Sequence, residues 1–369
     1  MLKRHLDNLL TKIIDWWFRV ATIERYLIGS GLALLLGVYG SAAAIIIFLR
    51  LVLGVAPEGL VKETIETLDV VILGFALLLI GTGVALAVVR FFGEARMRSK
   101  KRNVVIEARG LRDDDGKALA DTIRNAHEGA VISVLLNLRN KLDGEIIKPD
   151  KAVDEIMVMH RHLNQTCEDG DRNDLKTFYG GLAPVPYTFL TGVLLDDEGA
   201  IITYDWDRVQ ETWRKVDDND DGRSFIVEGL DAIWDVAEVV VALAFSYPVN
   251  DDDLNTTFTL PEVTLTLDGM SSDGHWSQQK QNRLAQEFFE VAKQLSGRGV
   301  QRIHLVLAAP NSVVFTFGRR YDKRNLPGIV VYQYQRGKKP AYPWGILMPV
   351  AGVERAKVFH SLGSAKGSD

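Results

Sequence analysis

The sequence predicts an α/β protein in two parts. A two-helix transmembrane hairpin comes first, and a duplicated region of alternating strands and helices, with a parallel sheet in each copy, follows it. Two observations carry this. Two long uncharged apolar runs stand close together in the first quarter of the chain, and an eleven-residue Ala-Pro motif recurs later with the same kinds of neighbours around each copy.

The hairpin rests on length and charge. Tyr26 to Leu49 carries no charge, and neither does Val70 to Val89. At about 1.5 Å per residue, each run crosses a hydrocarbon core of roughly 30 Å. A buried core helix is a poor account of two such runs joined by a short loop. The first run also starts too late and is too long for a signal peptide. The loop Pro57 to Asp69 holds Glu58, Glu63, Glu66 and Asp69 against Lys62 alone. Arg90, Arg96, Arg98, Lys100, Lys101 and Arg102 follow the second run, while Lys3, Arg4, Lys12, Arg19 and Arg25 precede the first. Cations at both outer ends put both termini on the cytoplasmic side. Ahead of the first run, Leu2, Leu6, Leu9, Leu10, Ile13, Ile14 and Trp17 recur at helical spacing, an amphipathic helix for the headgroup layer. Gly29, Ala33, Gly37 and Ser41 form a small-residue stripe along the first span. It suits close helix approach, either between subunits or between the two spans.

Composition sets limits on the rest. The chain has 369 residues and a net charge of -5, without the basic domain that a duplex DNA binder needs. Cys167 is the one cysteine, which excludes an intramolecular disulfide and fits a reducing compartment.

The duplication lies in the soluble region. LAPVPYTFLTG (Leu182 to Gly192) aligns without gaps to AAPNSVVFTFG (Ala308 to Gly318), sharing Ala183/Ala309, Pro184/Pro310, Phe189/Phe315 and Gly192/Gly318. Each copy follows an apolar or aromatic stretch and precedes a strand-like one, AIITYDW and GIVVYQY. Upstream, NVVIEARG (Asn103 to Gly110) parallels EVTLTLDG (Glu262 to Gly269). Between these lie helical stripes, Val153, Ile156, Met157, His160 and Leu163 in one copy and Leu284, Phe288, Val291, Ala292 and Leu295 in the other. Alternating strands and helices imply parallel, Rossmann-like sheets with helices on their faces.

Ligands of such sheets bind beyond the carboxyl ends of the strands. Helix N-termini there suit phosphate, although Asn311 and Ser312 also fit simple helix caps. The candidate ligand residues are Arg109, Gly181, Leu182, Pro184 and Val185 in the first half, with Met270, Ser271, Ala309, Pro310, Asn311 and Ser312 in the second. Trp206, Arg208, Tyr334 and Trp344 are placed just past strand ends, within reach of the cleft, and for the three aromatics base stacking competes with core packing as their role. Arg319, Arg320, Lys323 and Arg324 form a basic cluster after the second motif, by default a solvated face.

IHLVLAAPNSVVFTFGRR, followed by VVYQYQ and AYPWGILMP, is similar to the C-terminal half of SAVED domains; FYGGLAPVPYTFLTG with ITYDWDR resembles their N-terminal half. The resemblance covers most of Asn103 to Val350 and implies two fused CARF-like units that sense a cyclic oligonucleotide, most simply a cyclic trinucleotide, in bacterial CBASS anti-phage defence. The two spans ahead of it look like those of transmembrane SAVED effectors. The implied protein is not an enzyme and needs no cofactor or DNA. It takes its ligand from a neighbouring cyclase, forms a homo-oligomer and disrupts the inner membrane, which causes abortive infection. A membrane-tethered enzyme acting on cyclic nucleotides is the alternative. The expected partition is an interfacial helix (1–25), two transmembrane helices (26–93), a basic linker (94–102), two CARF-like halves (103–248 and 249–353) and a flexible tail (354–369).

Other motifs carry less. Asp217 to Glu228 fits an EF-hand pattern at Asp217, Asn219, Asp221, Gly222 and Glu228, but Ser224 stands where an aliphatic residue is expected, so an acidic turn between halves is the simpler reading. His160, His162 and Cys167 are too few for structural zinc, and no GxSxG, Walker A or HExxH sequence occurs.

Overall fold

The computed structural model describes residues 22–39, 67–111, 117–139, 141–142, 145–146, 148–168, 175–196, 199–322, 324–350 and 355–361. The chain divides into two compact units, Met1–Arg98 and Ser99–Asp369.

In the first unit, α1 (Ile23–Tyr39) packs against α2 (Thr67–Lys100). Val71–Gly93 of α2 is long and apolar enough to cross a membrane. Val71, Phe75, Leu78, Val89 and Phe92 are exposed on it, which lipid tolerates and water does not. The helices touch through glycine. A Cβ on Gly31 would stand 2.9 Å from the Ala76 carbonyl oxygen, and one on Gly83 would stand 3.0 Å from that of Glu24. Small residues let backbones approach in this way. Of the stripe read from the sequence, Gly29 and Ala33 are not at this contact: nothing lies within 4 Å of a Cβ on Gly29, and Ala33 is exposed, while Ser41 lies outside the described residues. Glu24 is buried and pairs with Arg90 at 3.5 Å. The interfacial helix and the acidic loop lie outside the described residues, apart from their last few positions. The stretch assigned to a basic linker is helical as far as Lys100, because no breaker follows Gly93 and its residues are mostly good helix formers.

The second unit holds two sheets. The first has the order β2-β1-β5-β6-β7, made of β1 (Arg102–Arg109), β2 (Ala130–Asn137), β5 (Leu175–Leu182), β6 (Ile201–Asp207) and β7 (Thr212–Lys215). All neighbours run parallel except β7. β3 (Lys141–Leu142) and β4 (Glu145–Ile146) form a small separate hairpin. The second sheet has the order β14-β13-β12-β11-β9-β10-β8, made of β8 (Phe225–Glu228), β9 (Glu238–Ala244), β10 (Glu262–Leu267), β11 (Arg302–Ala308), β12 (Gly328–Gln333), β13 (Trp344–Leu347) and β14 (Lys357–His360). Its four central strands are parallel.

The two sheets repeat one another, with β2-β1-β5-β6-β7 matching β10-β9-β11-β12-β13. The register agrees at the motif: Gly110 and Leu111 donate their N–H groups to Leu182 O, and Phe245 and Ser246 donate theirs to Ala308 O. This corrects the sequence pairing by one strand. The counterpart of Asn103–Gly110 is β9, and EVTLTLDG matches β2. The sequence boundary at 248/249 hid this, because the second sheet already includes β8 and β9. The tail assigned from residue 354 also holds β14, whose edge pairing with β13 orders it.

Alternate residues of the strands face opposite ways. Val104, Ile106 and Ala108 of β1 and Val239, Val241 and Leu243 of β9 enter one shared core, while Val105 and Val240 enter two smaller outer ones. The shared core holds α4 (Pro149–Glu168), α5 (Val185–Leu194), α7 (Gln278–Gly297) and α8 (Asn311–Arg320) between the sheets. α3 (Leu119–Ala126) and α6 (Asp251–Asn255) cover the outer faces. α5 follows β5 of the first sheet yet packs on β12 and β13 of the second, and α8 follows β11 yet packs on β5 and β6 of the first.

α5 and α8 run parallel and meet at the repeated glycines. A Cβ on Gly192 would fall 2.4 Å from Phe315 O, and one on Gly318 would fall 2.3 Å from Phe189 O. Both obstacles are backbone, so a side chain fits only if the helices part. Gly318→Ala is expected to cost about 1–3 kcal/mol, as overpacking does, and thermal melting of the variant checks it.

The segment between the sheets carries the acidic run. Asp220 takes a two-point ion pair from Arg283 of α7 (2.9 Å at both nitrogens), and Asp221 accepts from Lys280 Nζ at 2.7 Å. Phe225–Glu228, the end of the EF-hand-like pattern, is strand β8. No group of three or more His, Cys, Asp or Glu residues that could hold a metal ion is found among the described residues. The hydrogen bonds from Arg283 hold Asp220 at a pKa of about 2, below the ordinary 3.8. Its folded pKa is depressed, so its stabilisation is complete above about pH 4 and fades as the pH falls toward 2. Asp220→Asn should therefore melt below the parent at pH 7, with the gap closing between pH 4 and pH 2.

Candidate functional site

The carboxyl ends of β5 and β11 lead into the two Ala-Pro turns, and the structure brings these together. The N–H of Ala183 donates to Asn311 Oδ1 at 3.0 Å, and the Thr188 hydroxyl donates to the same oxygen at 2.8 Å. Asn311 opens α8, so one amide ties the second lobe's helix to the first lobe's turn. With both helices parallel, their N-termini emerge on one face. Gly181 and Leu182 lead into this junction, and Pro184, Val185, Ala309, Pro310, Asn311 and Ser312 form it.

A second tie crosses between lobes. The Ser312 N–H donates to Asp205 Oδ2 at 2.9 Å, and Asp205 Oδ1 accepts from the Trp206 N–H at 2.8 Å. Asp205 is 4% exposed. Gln281 of α7 donates to Ser312 Oγ (3.0 Å) and to His275 O (2.6 Å), and its own amide oxygen accepts from Thr316 (2.9 Å). His275 Nε2 stands 3.7 Å from Asp205 Oδ2. Burial pulls its pKa below the ordinary histidine value, outweighing the pull of Asp205 in the other direction. The head of α8 therefore already holds a carboxylate. The positive end of the helix and its free first-turn N–H groups account for that.

The remaining candidates lie elsewhere. Arg109 pairs with Glu107 at 2.6 Å, and Glu107 in turn accepts from the Leu119 N–H at the start of α3, on the outer face. Trp206 packs against Trp213 in the outer core of the first sheet, with ring centres 5.4 Å apart. Arg208 is exposed in the β6–β7 turn. Tyr334 donates to Asp253 on the outer side of the second sheet. Trp344 is buried against Tyr187 of α5, with centres 5.5 Å apart. Ser271 is exposed and Met270 packs on the shared core. From that loop it is His275 that reaches the junction.

The sequence reading missed Asp205, His275, Gln281 and Ser246. Strand alternation was a usable signal for the first: Trp206 and Tyr204 face outward, so Asp205 between them faces α8. Ser246 directly follows β9, and its hydroxyl is buried without a hydrogen-bond partner.

The family model described as "SMODS-associated and fused to various effectors sensor domain" (SAVED) matches residues 159–348, just over half of the chain. The chain belongs to the SAVED family. A second model, the SAVED-fused 2TM effector domain, matches residues 3–153. The chain is thus a SAVED sensor domain joined to a two-helix membrane effector domain. Among solved structures, it is similar to the Acinetobacter baumannii Cap4 SAVED/CARF-domain containing receptor with the cyclic trinucleotide 2′3′3′-cAAA, at 13% identity and a TM-score of 0.45, covering 77% of this chain and 62% of that one. The same receptor with 3′3′3′-cAAA gives 13% and 0.46 with the same coverage. The Moraxella osloensis Cap4 receptor gives 13% and 0.41, covering 83% of this chain and 64% of that one. The chain therefore spans less than two thirds of the length of each. No curated protein matches.

Asn311→Ala removes the acceptor of two donors at the SAVED lobe junction. An orphaned buried donor costs about 1–3 kcal/mol, so the variant should melt earlier than the parent. Asn311→Asp keeps the acceptor and should recover most of the loss in the same melting assay.

Proposed function

We propose that the SAVED domain binds a cyclic oligonucleotide across the joined Ala-Pro turns and that binding gathers copies of the chain in the bacterial inner membrane. The observation that carries this is the meeting of two equivalent turns, one from each lobe, at the heads of parallel helices. Two helix N-termini on one face suit a ligand with several phosphates. The proposed contacts are Gly181, Leu182, Pro184, Val185, Ala309, Pro310, Asn311 and Ser312. The sensor lies on the cytosolic side, where a neighbouring cyclase delivers its product.

Ligand binding drives assembly only as far as the ligand prefers the assembled state. Assembly in turn raises the effective concentration of the tethered spans. The clustered helices then breach the membrane, and the infected cell dies before phage mature.

The test uses the full chain in lipid nanodiscs, titrated with cyclic di-, tri- and tetranucleotides, the cyclic triadenylates included. A specific ring should raise the melting temperature by linkage, by an amount equal to about 2.7 kcal/mol at a hundredfold excess over Kd. In vesicles, the same ring should release trapped dye. Indifference to every ring sinks the proposal. Turnover of the ring would instead mark an enzyme acting on cyclic nucleotides.

A further inference from the structure

We propose that Asp205 is an internal stand-in for a ligand phosphate at the head of α8, and that the ligand binds there by displacing it. The inference rests on the function proposed above and adds a step to it.

Three observations support the exchange. First, the Asp205 carboxylate is buried and holds the Ser312 N–H at 2.9 Å, the place a phosphate oxygen would take. It reaches there from the other lobe's strand β6. His275 Nε2 lies 3.7 Å from the same oxygen, so a released carboxylate has a partner nearby. Second, an unmet polar group lies beside the start of the turn into α8, just past β9. Ser246 is 6% exposed, its N–H bonds Ala308 O at 3.1 Å, and its hydroxyl has no hydrogen-bond partner. A buried unpaired group of this kind is costly until something bonds it.

Third, the device occurs in one lobe only. In the alignment of AIITYDW with GIVVYQY, Gln333 stands where the first copy has Asp205, and in the motif Pro186 stands where the second has Ser312. That side has neither the charge nor the N–H, and Gln333 Oε1 is buried without a partner. Pro186 also shows that proline fits this first-turn position.

A two-by-two set of variants tests the inference in the full chain in nanodiscs, with 3′3′3′ cyclic triadenylate titrated by calorimetry. Asp205→Asn keeps an acceptor for Ser312 but gives up the charge-assisted bond, which is roughly twice as strong as a neutral one. Affinity should rise about tenfold, equal to about 1.4 kcal/mol. In Ser312→Pro the contested N–H is gone, and adding Asp205→Asn there should change affinity by less than about twofold. An equal gain in both backgrounds would mean plain charge repulsion and overturns the proposal, as does no gain in Asp205→Asn. Asp205→Gln, the residue its counterpart carries, serves if the Asn variant does not fold. Binding by the parent without the gain removes this inference alone. Silence of the parent and of every variant toward every ring of the panel above removes the proposed function with it.

Discussion

Everything in the SAVED unit depends on the near-contact of two helix backbones. At Gly192 and Gly318 the carbonyl oxygens of Phe315 and Phe189 occupy the space that side chains would need. That closeness lets each helix leave its own sheet and pack under the other one. The result is a single apolar core reaching from β1 to β13, in which Tyr179 of the first sheet stacks on Phe315 of the second lobe's helix at 3.6 Å. Neither lobe covers its inner face alone, so a lobe by itself would expose that apolar surface to water.

The same crossing fixes where the Ala-Pro turns go. Parallel helices in contact along their length have adjacent heads, and adjacent heads leave first-turn N–H groups in a shared, partly buried place. Such groups need partners. The opposite lobe supplies partners at both heads: Asn311 accepts from the Ala183 N–H just ahead of α5, and Asp205 from the Ser312 N–H at the head of α8. A site built this way is not an empty cradle. A ligand that binds there, as proposed, would exchange bonds with residues that also hold the lobes together, which would link occupancy to lobe geometry.

Much of this was legible in the sequence. The repeated Ala-Pro motif located the junction because its residues serve packing: the glycines are needed at the crossing and the prolines start the helices. The uncharged run Val70 to Val89 located the apolar stretch of α2, since bilayer length is written in composition; of the run Tyr26 to Leu49 the part to Tyr39 is helical, as α1, and the rest lies outside the described residues. Strand pairing was harder. β9 and β10 both read as apolar runs ending in a turn, and only the hydrogen bonds from Phe245 and Ser246 to Ala308 O settle which one is the partner of β11. Aromatic residues near strand ends could serve stacking or packing; Trp206 falls on the outward parity of its strand, where the small outer core takes it, and Tyr334 is exposed on the outer side of the second sheet, beside Asp253 and Tyr342. Asp205, which faces the junction, sits one position before Trp206.

The boundary between the two family regions is not a boundary between folding units. The 2TM effector match ends at residue 153 and the SAVED match begins at residue 159, both inside α4. Strands β1 and β2 therefore belong to the effector match, yet β1 is central in the first sheet and pairs in register with β2 and β5 along all eight of its residues. Cutting the chain between the two matches would strip the sheet of β1 and β2 and leave one edge of β5 unpaired. It would also remove Val104, Ile106 and Ala108 from the shared core. The compact units divide near Arg98 instead, and only Lys101 separates the last residue of α2 from the first of β1. The effector region thus contributes a central strand to the sensor, so the sheet that carries the first Ala-Pro turn is built jointly by both.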